Sequence, residues 1–138
     1  RVPADKLAAL ADGAIRHYTR FVYLFLPTLS PDPATALSAE PQGLGEERVR
    51  RWYLVARLSL ARVLSKRPEP DLPRRRELLR RAQAEYDFII ALVGRLPFKE
   101  GSDVSFAEEL AVCREMAALL PAKLARLHTL DPGPSGTG

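Results

Sequence analysis

The sequence predicts an all-α fold of four antiparallel helices, either two stacked hairpins from the end of a tetratricopeptide-like solenoid or a closed four-helix bundle. Three observations predict it. Apolar residues recur at steps of three and four in four separate windows, which sets them on one side of a helix. Proline-rich breaks divide those windows. No segment alternates apolar and polar residues between turn signals, as a half-buried strand would.

The first helix is expected over residues 5–26, with Asp5 as its cap. Leu7, Leu10, Ala11, Ala14, Tyr18, Phe21, Val22 and Phe25 form its apolar stripe. Pro27 ends it, and Ser30-Pro31-Asp32-Pro33 cannot continue it. Residues 27–45, rich in Pro, Ser, Ala and Gly, read as a loop insertion. Glu46 to Ser65 is the second helix, with acidic residues in its first turn and Lys66 and Arg67 at its end, as the helix dipole prefers. Val49, Tyr53, Ala56, Leu60 and Val63 are its buried stripe, with Trp52 beside it. After Pro68-Glu69-Pro70, Asp71 caps a third helix from Pro73 to Arg95. Its stripe is Leu78, Ala82, Tyr86, Ile89 and Val93, widened by Leu79, Phe88 and Ile90.

The fourth helix follows Ser105, which forms a capping-box signature with Glu108. Phe106, Leu110, Cys113, Ala117, Leu120, Leu124 and Leu127 recur along it at alternating steps of four and three. Pro121 falls inside this stripe and is expected to kink or split the helix. DPGPSGTG, residues 131–138, has nothing to bury and reads as a disordered tail. The expected organisation is therefore one helical domain over 1–130, a loop insertion at 27–45, and a tail.

The chain has 138 residues, 46% hydrophobic and 28% charged, which fits a single soluble domain. No apolar run approaches the roughly 18 residues of a membrane span, and no leader pattern opens the chain. It starts at Arg1, so an excerpt from a longer parent is expected. One cysteine excludes an internal disulfide and suits a reducing compartment, so a cytoplasmic location is expected.

Little in the chain points to catalysis, and no catalytic residue, metal ligand or cofactor site is assigned. His17 and His128 lie on different helices, and Asp131, three residues after His128, belongs to the tail. Cys113 sits mid-helix on the apolar stripe, away from any activating base. No Cys or His pair has ligand spacing. Gly43-Leu44-Gly45 follows no strand and lacks the rest of a phosphate loop. Charge is more informative. The net charge is +4, but residues 48–81 alone carry +9 and the remainder −5. Arg74, Arg75, Arg76, Arg80 and Arg81 are the candidate partner-binding residues, suited to phosphates or an acidic protein surface. Nucleic acid is disfavoured because no reader motif is present and Trp52, Tyr53 and Tyr86 are expected in the core. The same arginines would also serve as a merely solvated helix face.

Two stretches add a resemblance. AQAEYDFIIALVGRLP followed by EELAVCREMAALLPAKLARL resembles the C-terminal end of the kinesin-binding protein family, tetratricopeptide-like inhibitors of kinesin motors. The shared features are the cluster Tyr86, Phe88, Ile89 and Ile90, then Glu115, Met116, Leu119, Leu120, Pro121 and Lys123. ALADGAIRHYTRFVYLFL and WYLVARLSLARVL are similar to the two preceding helices. The chain departs from the family in its 27–45 loop and its arginine density. The resemblance implies a right-handed solenoid that holds the kinesin motor domain and covers its microtubule-binding surface, without chemistry or cofactor. It also implies a cytoskeletal setting. The alternative is a stand-alone bundle that binds an anionic partner, acidic protein or nucleic acid, through the basic region.

Overall fold

A computed structural model describes residues 2–26 and 39–130. Four α-helices follow one another: α1 Ala4–Tyr23, α2 Glu47–Lys66, α3 Leu72–Arg95 and α4 Ala107–Leu130. No strand occurs among the described residues. The expectations for 27–38 and for the tail at 131–138 lie outside them.

Local chemistry sets the boundaries. α1 is not capped by Asp5: Pro3 occupies the cap position without a side-chain bond, and Asp5 lies in the first turn, where the helix dipole favours its charge. The helix also stops three residues earlier than expected. Leu24, Phe25 and Leu26 each donate to the carbonyl three residues back, a tightened turn that closes the helix ahead of Pro27. Asp71 caps α3 as expected, its carboxylate accepting from Arg74 N–H at 3.1 Å. At α4 the Ser105 hydroxyl accepts from Ala107 N–H at 3.2 Å, closer in sequence than a capping box would place it.

Pro121 does not split α4, which runs unbroken from Ala107 to Leu130. A proline lacks the N–H that would bond the carbonyl four residues back, so Ala117 C=O is left without its helical partner. Gln83 Nε2, on α3, donates to that carbonyl at 3.3 Å. The vacancy created by the proline thus becomes a tie between helices.

Each helix packs on the next, α1 on α2, α2 on α3 and α3 on α4, with a minor α2–α4 contact. The cross-links show antiparallel neighbours. Asp12 midway along α1 meets Arg67 just after α2, Arg50 at the start of α2 meets the carbonyls of Leu96 and Pro97 after α3, and Arg76 early in α3 meets His128 late in α4. A closed bundle would also pack α1 against α4, so this open order describes two stacked hairpins.

The position of α2 in the stack explains its composition. It is covered by α1 on one side and α3 on the other, so Tyr53, Leu54, Leu58, Leu60, Ala61 and Leu64 are all buried. What remains outside is a narrow stripe at helical spacing: Arg48, Trp52, Arg62 and Lys66. Trp52 is accordingly 61% exposed, not part of the core as expected; it sits one residue, about 100° of helix, from buried Tyr53. The stripe assigned to α1 is also only partly covered. Val22 is buried, whereas Leu7 and Leu10 are 42% and 64% exposed, because α1 has a neighbour on one side alone. The α4 stripe is as expected, with Phe106, Cys113, Leu120 and Leu127 buried.

Candidate partner-binding surfaces

The basic region is divided by the fold between structural and exposed arginines. Arg57 is fully buried and grips Glu85 with two bonds of 2.8 and 2.7 Å, while its Nη1 donates to the Tyr53 hydroxyl at 3.0 Å. Its guanidinium also lies 3.8 Å from the centroid of the Phe88 ring. Burial works to lower the Arg57 pKa, and the bonds and charge of Glu85 more than offset it, so the group is raised and stays charged. Arg50 is buried as well. It donates to Leu44 O at 3.1 Å and to Pro97 O at 2.7 Å, which fastens two loops to one end of the stack.

Two further members of the basic region are engaged in ion pairs. Arg51 joins Ser105 O and Glu109, holding the start of α4 on α2. Arg67 spans Asp12 at 2.7 Å and Glu69 at 3.1 Å, and the bond from Arg67 lowers the Asp12 pKa below the usual carboxylate value. Arginine-rich composition here is in large part internal scaffolding. None of these four roles was read from the sequence, although an arginine and a glutamate on facing stripes of α2 and α3 was the available signal for Arg57 and Glu85.

The five candidate arginines do not form one patch. Arg80 pairs with Glu77 across one turn of α3, and Arg74 and Arg81 point to solvent. Arg75 Nε donates to Glu69 O at 2.7 Å, and Arg76 Nη1 lies 3.3 Å from His128 Nδ1 on α4. Arg75 lines a concavity of about 440 Å³ that the sequence could not show, because two of its other cations, Lys123 and Arg126, come from the far end of α4. The floor of this concavity is apolar, supplied by Leu79, Leu127 and Leu130.

Other depressions mark the surface of the described residues. One, of about 570 Å³, runs between the α2 stripe and the start of α4, lined by Arg48, Trp52, Asp103, Val104 and Glu108 among others. A shallower apolar groove of about 340 Å³ lies between Leu7, Leu10 and Ala14 of α1 and Val63 of α2.

Groups capable of catalysis are dispersed. His17 packs edge-on against Tyr18, some distance along the chain from His128 and its contact with Arg76. Cys113 is fully buried, and burial pushes its thiol up to about 11, opposite to what a nucleophile needs. Among the described residues no cluster of His, Cys, Asp and Glu could hold a metal, and no helix is long and apolar enough to cross a membrane.

No curated protein and no solved structure matches the chain. A family model described as KIF-1 binding protein C terminal matches residues 3–127, from the cap residue of α1 to the last buried leucine of α4. By that match, the chain belongs to the KIF-1 binding protein C-terminal family.

Proposed function

We propose that this helical stack is the C-terminal part of a protein that holds kinesin motor domains and blocks their attachment to microtubules. The observation that carries the reading is the family match across all four helices. The physical character of the molecule supports it: an open array of helices with solvent-facing grooves, a large exposed tryptophan, and titratable groups buried in structural roles. Inhibition would then be steric, requiring neither cofactor nor reaction. Within this reading, residues 1–130 act as the tetratricopeptide-like domain, and the α3 residues Arg74, Arg75, Arg76, Arg80 and Arg81 remain the proposed contacts. A cytoplasmic, cytoskeleton-associated location follows from the same partner.

The test is capture of purified kinesin motor domains by the full-length parent protein and by the 1–138 chain, repeated with the five arginines changed to serine. Capture by the parent that weakens in the arginine variant supports both the partner and the contacts. Capture that persists in the variant removes the contacts and keeps the partner. No capture across several motor classes overturns the reading. The salt dependence adds a second discriminant, since an anion-driven complex loses affinity steeply with salt and a docked helical surface loses less.

A further inference from the structure

The concavity between the beginning of α3 and the end of α4 combines two properties. Its floor is made of leucines: Leu79 and Leu127 are buried at the base, and Leu130 is 65% exposed at the lip. Its rim carries net positive charge, with Arg75 and the paired Arg67 and Glu69 on one side and Lys123 and Arg126, three residues apart on one face of α4, on the other.

The carboxylates nearby are already engaged. Glu69 accepts from Arg67 and from Asp71 N–H, and Asp71 accepts from Arg74 N–H. Among the described residues Arg75, Lys123 and Arg126 form no ion pair, and the bond from Arg75 Nε to Glu69 O anchors its guanidinium at the rim. An apolar floor within a rim of net positive charge selects a ligand that is apolar at its centre and anionic at its edges. A volume of about 440 Å³ suits a pair of aliphatic side chains.

We propose that this concavity docks an acidic amphipathic peptide segment of a partner protein, its leucine-type side chains on Leu79, Leu127 and Leu130 and its carboxylates on Arg75, Lys123 and Arg126. Arg75 is shared with the proposed motor contacts, but the site stands whether or not motors bind, and its test contains no motor.

The experiment is a titration of the 1–138 chain followed by leucine methyl NMR. The probe is the blocked tetrapeptide acetyl-Glu-Leu-Leu-Glu-amide. Saturable shifts confined to the methyls of Leu79, Leu127 and Leu130 are expected. Lys123→Glu with Arg126→Glu should weaken binding at least about tenfold while leaving the other methyl signals in place. Both residues are exposed, so the fold does not depend on them; Arg75→Gln provides an independent variant on α3. Four controls bear on the partner class. Equal binding of acetyl-Lys-Leu-Leu-Lys-amide would overturn the charge selection. Equal binding of acetyl-Glu-Ser-Ser-Glu-amide or of inorganic pyrophosphate would reduce the site to a general anion patch and overturn the proposal. Tightening of more than about tenfold on removal of residues 131–138 would assign the site to the chain's own tail and overturn it also. Absence of shifts at these methyls ends it outright.

Discussion

At the scale of single residues, the core divides into positions that the apolar pattern predicts and positions that it does not. Leu120 is fully buried on the α4 stripe, so Leu120→Ala should cost about 2–5 kcal/mol in urea unfolding. Leu10 occupies an equally regular stripe position on α1, yet it is 64% exposed, and Leu10→Ser should change stability by less than about 0.5 kcal/mol. Periodicity gives both residues the same weight; only the number of neighbouring helices separates them. Arg57 illustrates the opposite error. Its charge suggests a surface position, yet it is sealed between Glu85, Tyr53 and Phe88. Arg57→Met strands a buried carboxylate and should cost about 3–5 kcal/mol, whereas Arg57→Met combined with Glu85→Leu should recover most of that loss. A loss in the double variant equal to the sum of the two single losses would show that the pair is not energetically coupled.

At the scale of elements, all four helices were legible, because apolar spacing, prolines and the Asp71 cap act within a few residues of chain. Trp52 was misplaced because the buried arc of α2 depends on what lies on both its sides, which is not local information. The cationic rim was half legible for the same reason: Arg75 belongs to an arginine run, but Lys123 and Arg126 join it only through antiparallel packing of α3 and α4. The tie between these helices can be tested directly. Gln83→Ala removes the donor to Ala117 C=O and should cost about 1–3 kcal/mol. In a Pro121→Ala background the same change should cost less, since the restored N–H satisfies that carbonyl within the helix. A thermodynamic cycle checks this, and strictly additive effects would mean that the proline and the glutamine act separately.

At the scale of the whole molecule, the titrating groups set a stability window. Burial raises the Cys113 thiol from 9.0 to about 11 and pushes the Tyr53 and Tyr86 phenols upward. Groups raised on folding contribute stability in full below their unfolded values and lose it as pH climbs through their folded ones. The melting temperature should therefore fall above about pH 9, and Cys113→Ala should remove part of that fall. On the acid side, Asp12 is lowered by Arg67, and Glu47 by the backbone N–H of Lys99. Their contribution persists above the normal carboxylate range and disappears as pH drops through the lowered values. A flat alkaline limb would show that these buried groups do not titrate with unfolding.

The carbonyl released by Pro121 also acts as a registration mark. An ordinary helix offers a neighbour the same engaged backbone at every turn, so axial sliding by a turn, about 5.4 Å, meets no distinct obstacle from hydrogen bonding. On α4, a displacement of one turn would carry Gln83 away from Ala117 to a carbonyl whose partner is already in place. Shear between α3 and α4 therefore carries a specific penalty from hydrogen bonding.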